Sequence, residues 1–112
     1  MKRIEAVIRP NKVGDVLAAL EKVGHPGLMI TQIEGHGKQK GVEQQVRGKT
    51  YKTELVTKAR IEIVVKDADV GLITKAIVEA VKTGKIGDGK IFVSDVADVI
   101  RIRTGETGEA GV

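Results

Sequence analysis

The stretch TGKIGDGKIFV at 83–93 places three glycines, Gly84, Gly87 and Gly89, in six positions, with Lys85 and Lys90 among them. Glycines at this density let successive backbone N–H groups turn inward and make a concavity suited to phosphate oxygens, while the lysines supply positive charge. A helix C-cap followed by a turn needs the same residues, and on composition alone both readings stand. GKIGDGK satisfies the first part of the phosphate-loop pattern GxxxxGK. However, Ile91 stands where Ser or Thr is required and strand-forming residues follow instead of a helix, which excludes a Walker-type NTPase. Gly35-His36-Gly37 follows an apolar run but opens no helix, which excludes a dinucleotide fingerprint.

Arg101 and Arg103 alternate with Ile100 and Ile102 in VIRIR at 99–103. On a strand, both guanidinium groups would leave one face about 6–7 Å apart. Paired forks at that spacing suit a polyphosphate or a carboxylate, and a solvated strand edge is the alternative. His25 and His36 have no Cys partners and no metal-binding spacing. No Ser-His-Asp or paired-carboxylate arrangement is legible, so hydrolytic chemistry has no positive support.

These residues need elements to hold them. RIEAVIR at 3–9 alternates with Ile4, Ala6 and Ile8 on one face and stops at Pro10, which predicts a strand. Asn11 is the candidate cap of a helix with Val13, Val16, Leu17 and Leu20 on one face, ending at Gly24. LMITQIE at 28–34 is a second β-rich run, and KARIEIVV at 58–65 alternates Ala59, Ile61, Ile63 and Val65 against Arg60, Glu62 and Val64. Asp67 or Asp69 can cap a second helix with Val70, Ile73, Ile77 and Val81 on one face, closed by Gly84. KIFVSDV at 90–96 predicts a fourth strand, VIRIR a short extra one, and TGETGEAGV at 104–112 a mobile tail.

The order is β-α-β, loop, β-α-β, an α+β ferredoxin-like sandwich with a long loop between strands 2 and 3 and helices on one sheet face only. The uncovered face carries Val7, Val64 and Met29 among charges, which predicts burial against further copies of the chain. Residues 37–57, GKQKGVEQQVRGKTYKTELVT, show no sustained period. A connection that long in a compact domain binds, moves, or hides an element.

With 112 residues the chain forms one domain. Its 41% hydrophobic and 30% charged residues specify a folded core, which Val, Ile, Leu and Ala must build because Tyr51 and Phe92 are the only aromatics. So few stacking platforms argue against a nucleic-acid module, a rival that shares the element order and the basic pI of 9.4. The absence of cysteine excludes a disulfide framework and thiolate chemistry, and fits a cytoplasmic protein. No apolar run approaches the ~20 residues a membrane span needs. Of the net charge of +4, residues 37–57 contribute a surplus of three, from Lys38, Lys40, Arg47, Lys49 and Lys52 against Glu43 and Glu54. A local cationic arm suits an anionic ligand or partner surface, or is a solvated loop.

Together MKRIEAVIRP, GHGKQKG, RGKTY, KARIEIVV, TGKIGDGKIFV and VIRIRTGE resemble the PII nitrogen-regulatory signal proteins over residues 1–108. Thr83-x-x-x-Gly87-Asp88-Gly89-Lys90-Ile91-Phe92-Val93 fits the family's C-terminal signature without a departure. The resemblance implies a single PII-like domain over 1–112 that assembles as a homotrimer and is not an enzyme. Clefts between its subunits would bind ATP or ADP and, with Mg-ATP, 2-oxoglutarate.

On matching positions, the resemblance implies that Gly84, Lys85, Ile86, Gly87, Asp88, Gly89 and Lys90 hold phosphates, joined by Arg101 and Arg103 of a neighbouring subunit. Gly35, Gly37, Lys38 and Gln39 would close the cleft, with Val7, Met29, Glu62 and Val64 on the base and ribose side. Gln39 would face Mg²⁺, and Gln39, Lys40, Gly41, Lys58 and Gly87 would bind 2-oxoglutarate. Residues 37–57 would be the T-loop, which docks on targets such as an ammonium channel or nitrogen-assimilation enzymes. No nucleic-acid partner is implied, and a membrane is reached only through such a target. Tyr51 is the candidate modification site.

Met29 stands where the family usually has Thr, Lys38 where it has Arg, and Val46 to Tyr51 departs from the usual loop tip. A specialised paralogue that senses adenylates for a target outside nitrogen metabolism is the alternative within the family.

Overall fold

The computed structural model describes the backbone of residues 1–39, 45–46, 49–50 and 52–112, and the side chains of 1–34 and 56–112. In chain order the elements are β1 (Lys2–Ile8), α1 (Val13–Val23), β2 (Met29–Gln39), β3 (Gln45–Val46), β4 (Lys49–Thr50), β5 (Lys52–Val65), α2 (Val70–Val81) and β6 (Lys90–Asp95). Four strands form one antiparallel sheet in the order β2-β5-β1-β6, while β3 and β4 pair separately. This is the ferredoxin-like arrangement, in which each βαβ half contributes one central and one edge strand.

Alternation along the central strands decides which face is covered. Ile4, Ala6 and Ile8 of β1 and Ala59, Ile61, Ile63 and Val65 of β5 are buried, and they meet Val16 and Leu20 of α1 and Ile73, Ile77 and Val81 of α2. The period-2 stripe of the sheet and the 3.6-residue stripes of the helices thus close on one aliphatic core. The opposite face has no covering layer among the described residues. Arg60 Nε is buried there 3.0 Å from Glu62 Oε1, but at an angle that makes no hydrogen bond. Met29 and Phe92 are also more than half exposed.

Several expected boundaries move. Neither helix is capped by an acidic or amide side chain: each opens on a 3-10 turn, Pro10–Lys12 or Asp67–Asp69. The N–H of Val13 reaches the Pro10 carbonyl and that of Val70 the Asp67 carbonyl. Lys12 and Asp69 precede the helices with helical rather than extended backbone, so Asp69 is not poised to cap, and Asn11 lies inside the turn. Asp67 instead accepts from the N-terminal ammonium at 2.7 Å. The second helix stops at Val81, short of Gly84, because Lys82 turns extended.

The ladder between β2 and β5 runs out to Gln39↔Lys52, well into the segment expected to be a loop from residue 37. The pairing continues because β2 supplies a partner in register, which no local period reveals.

VIRIR is not a strand of the sheet. One isolated bridge joins Ile100 to Thr107, and residues 102–104 turn. β6 ends beside Lys2, so the chain beyond it has no strand to pair with and folds back on itself. The Arg101 N–H reaches the Glu106 carbonyl at 2.9 Å and the Gly105 N–H the Arg101 carbonyl at 2.8 Å. The segment expected to be a mobile tail carries defined bonds: a 3-10 turn over Gly108–Gly111, and Gly108 N–H to the Val99 carbonyl at 3.0 Å.

Ile77 is fully buried between helix and sheet. Ile77→Ala is expected to cost about 2–5 kcal/mol through lost transfer energy and the cavity left behind. Urea unfolding should show this as a lower midpoint at an unchanged slope.

Candidate functional site

The glycine-rich segment 83–89 leaves α2 and enters β6, and one carboxylate organises it. Asp88 Oδ2 accepts the N–H groups of Thr83 and Gly84, each at 2.9 Å. Its Oδ1 accepts from Thr83 Oγ1 and, at 2.6 Å, from Arg9 NH1. The Thr83 hydroxyl and the Arg9 guanidinium, helped by these backbone donors, hold the Asp88 carboxyl far below its ordinary value of 3.8. Arg9 continues through NH2 to the Ile86 carbonyl at 2.9 Å, and Lys58 Nζ reaches the Gly87 carbonyl at 3.0 Å. Two cations at the end of the sheet, Arg9 just after β1 and Lys58 on β5, thereby grip one face of the loop.

This changes the reading of the glycines. The Gly84 N–H, expected to face phosphate, is already taken by Asp88. Gly89 is required for a different reason: a Cβ there would lie 1.9 Å from the Val7 carbonyl oxygen, and its φ is 99°. The backbone of β1 and the start of β6 approach so closely that only hydrogen fits between them. Gly87, also at φ 99°, passes under Arg9, with 3.1 Å from an added Cβ to NH2.

Arg9 was not singled out from the sequence. It sits in the run RIEAVIRP as one more exposed strand charge, and nothing local marks it. Only antiparallel pairing, which sets Val7 opposite both Arg60 and Lys90, brings it beside residues about eighty positions away.

The other expected site residues divide by place. Val7, Lys58, Lys85, Ile86, Gly87, Asp88, Gly89 and Lys90 gather at one end of the sheet. Met29, Glu62 and Val64 lie toward the other end: Glu62, which pairs with Met29, is about 13 Å from Lys58 along β5, and Val64 about 20 Å. There, with Val99, Gly111 and Val112, they line a cavity of about 310 Å³. Arg101 and Arg103 follow β6, whose Asp95 end lies about 17 Å beyond Lys90, and they do not project from one strand face as the alternation predicts.

Gly35, Gly37, Lys38 and Gln39 continue the β2 ladder away from Lys58, ending at Gln39↔Lys52. Their side chains lie outside the described residues, as do Lys40, Gly41 and Tyr51, so the expected contacts of Gln39 with Mg²⁺ and of Lys40 and Gly41 with 2-oxoglutarate fall there too. His25 and His36 also part. His25 Nε2 lies 3.2 Å from Glu21 Oε1, and the His36 side chain is outside the described residues. No cluster of metal-ligating side chains occurs among the described residues, and no helix there is long and apolar enough to cross a membrane.

The family model described as "Nitrogen regulatory protein P-II" matches residues 1–106. The chain belongs to the P-II family. It is similar to Nitrogen regulatory protein P-II 2 of Methanothermobacter thermautotrophicus, 48% identical over 112 residues, covering all of this chain and 97% of that one. To Nitrogen regulatory protein P-II 1 of Escherichia coli K12 it is 49% identical, with both chains fully covered. Among solved structures, B. subtilis GlnK superposes with a TM-score of 0.84 at 34% identity, covering 99% of this chain and 97% of that one. Arabidopsis thaliana PII bound to citrate superposes with a TM-score of 0.81 at 40% identity, covering 99% and 91%. The ferredoxin-like sandwich derived from alternation and helical stripes is thus the P-II fold, and the Asp88 carboxylate lies within the matched family region.

Two consequences are measurable. Because the folded state favours ionised Asp88, its stabilisation is fully present above about pH 5 and is lost as pH falls below the ordinary carboxylate range. The thermal midpoints of the native protein and Asp88→Asn should therefore differ most near pH 6, and the gap should narrow steadily as pH falls from about 4 toward 2. Gly89→Ala should destabilise by at least about 2 kcal/mol, since the β1 carbonyl has to move or the strained φ be abandoned. Chemical unfolding of that variant checks this, with Gly14→Ala, where an added Cβ meets nothing within 4 Å, as the tolerated control.

Proposed function

We propose that this P-II protein is a non-enzymatic cytoplasmic sensor. It binds ATP or ADP and, together with Mg-ATP, 2-oxoglutarate, in clefts between the subunits of a homotrimer. Through residues 37–57 it contacts a nitrogen-assimilation enzyme or an ammonium channel. The observation that carries the reading is the separation of the two halves of the site within one chain. The loop 84–90 with Lys58 stands at one end of the sheet, while Arg101 stands at the other, with Met29, Glu62 and Val64 in the nearby cavity. A ligand that touches both halves needs two copies of the chain. The uncovered sheet face, with Met29 and Phe92 exposed, offers apolar surface for that assembly.

In the proposed cleft, Lys85, Lys90, Arg101 and Arg103 supply the positive charge that a triphosphate requires, and loop 87–89 the backbone approach. Val7, Met29, Glu62 and Val64 receive the nucleoside. Lys58, already aimed at the Gly87 carbonyl, is the proposed cation for a dicarboxylate. That a plant PII of the same fold is solved with citrate, itself a polycarboxylate, supports a carboxylate effector here. Gln39 is the proposed side chain toward Mg²⁺, and Lys40 and Gly41 complete the 2-oxoglutarate end.

Calorimetric titration tests the reading. ATP and ADP should bind at or below millimolar concentration, and Mg-ATP and 2-oxoglutarate should each tighten the other by the same factor, as linkage demands. Lys58→Ala should abolish the 2-oxoglutarate response while ATP alone still binds. Failure to bind either adenylate would overturn the sensor reading. Adenylate binding without mutual enhancement would restrict the protein to adenylate sensing, the alternative of a specialised paralogue.

A further inference from the structure

The residues that follow β6 close on the side chain that the proposed site needs free. Arg101 NH2 donates to the Val112 carbonyl at 3.0 Å, and NH1 lies 3.5 Å from Glu106 Oε1. Glu106 is held in turn by Thr104 Oγ1 at 2.9 Å. The fold-back is built as well as paired. The Gly108 N–H reaches both the Val99 carbonyl and Asp98 Oδ1 at 3.0 Å. A Cβ on Gly111 would stand 2.9 Å from the Glu106 carbonyl oxygen and 3.0 Å from that of Val99, so the tail seats backbone against backbone. Gly111 and Val112 also form part of the wall of the cavity shared with Met29, Glu62 and Val64.

We propose that residues 104–112 are an intramolecular latch over Arg101, and that an anionic ligand must displace it to use that guanidinium. The proposal rests on the reading of Arg101 as a phosphate-binding residue. Glu106 is the resident anion and the Val112 carbonyl the resident acceptor; a phosphate group competes with both for the same N–H fork. The tail is then a competitor at fixed effective concentration. The apparent affinity of the cleft falls by the fraction of chains in which the latch is closed. Because tail and nucleotide also share the cavity wall at Glu62 and Val64, latch opening couples the charge end and the base end of one site.

The test is calorimetric titration of ATP into the full-length protein and three variants. Glu106→Gln removes the competing charge, and Gly111→Val unseats the tail without touching any charge. Arg101→Ala removes what the latch covers. The first two variants should each bind ATP about three- to ten-fold more tightly, the range expected for releasing one exposed ion pair and one hydrogen bond. Arg101→Ala should bind more weakly, and adding Glu106→Gln to it should restore nothing. Thermal unfolding confirms that Gly111→Val is folded before it is scored. In the native protein, ATP should also speed amide exchange at Gly105 and Gly108, whose N–H groups belong to the fold-back.

A gain in Glu106→Gln without one in Gly111→Val would overturn the latch in favour of a simple charge effect. Native-like affinity in both variants would overturn it outright while leaving the sensor reading intact. Absence of ATP binding in the native protein and all three variants would overturn both.

Discussion

The grip of Asp88 on the start of its own loop is the interaction on which the rest of the site depends. A single carboxylate satisfies the N–H groups of Thr83 and Gly84 and the Thr83 hydroxyl, and still binds Arg9. It thereby ties the end of α2 to the end of β1. Everything that follows in the chain inherits its register from that tie: Gly89 can pass against the Val7 carbonyl only if the loop arrives at that height, and Lys90 then falls opposite Val7. A single ion pair near the surface contributes little by its charge alone. Here its weight comes from being one of several donors converging on the same two oxygens, each fixing a torsion of a segment rich in glycine.

Arg9 and Lys58 show how a fold makes a cationic site from residues that look ordinary in sequence. Arg9 follows the end of β1 and Lys58 sits on β5 just past the last β1–β5 pair, and each bonds a carbonyl of the same loop. The helix-free face of the sheet then presents its apolar side chains and the bent Arg60–Glu62 pair to whatever covers them.

The sequence resolved the aliphatic core almost residue by residue. Alternation in RIEAVIR and KARIEIVV and the helical stripes through Val16, Leu20, Ile73, Ile77 and Val81 named side chains that are buried. It erred where a structure needs a partner rather than a period. VIRIR alternates as a strand should, yet lies beyond the end of β1 and bonds back to its own tail. Residues 37–39 and 52–57 lack a clean pattern, yet extend the β2–β5 ladder because the opposite strand is already in register. Asn11, Asp67 and Asp69 have the chemistry of helix caps, but 3-10 turns satisfy the first N–H groups in their place.

What the sequence determined by itself were the properties carried by local repetition: the hydrophobic periods that choose helix or strand, and the glycine spacing and signature run that mark 83–93 and the P-II family. These are legible because each is set by neighbours a few residues apart. The tertiary structure alone decided which distant groups meet: Arg9 with Asp88, Lys58 with Gly87, Arg101 with Val112, and the separation of Arg101 from the loop at 84–90. Such contacts follow from strand order and register, which are settled by burying one whole face of the sheet at once. No stretch of chain shorter than the sheet contains that information.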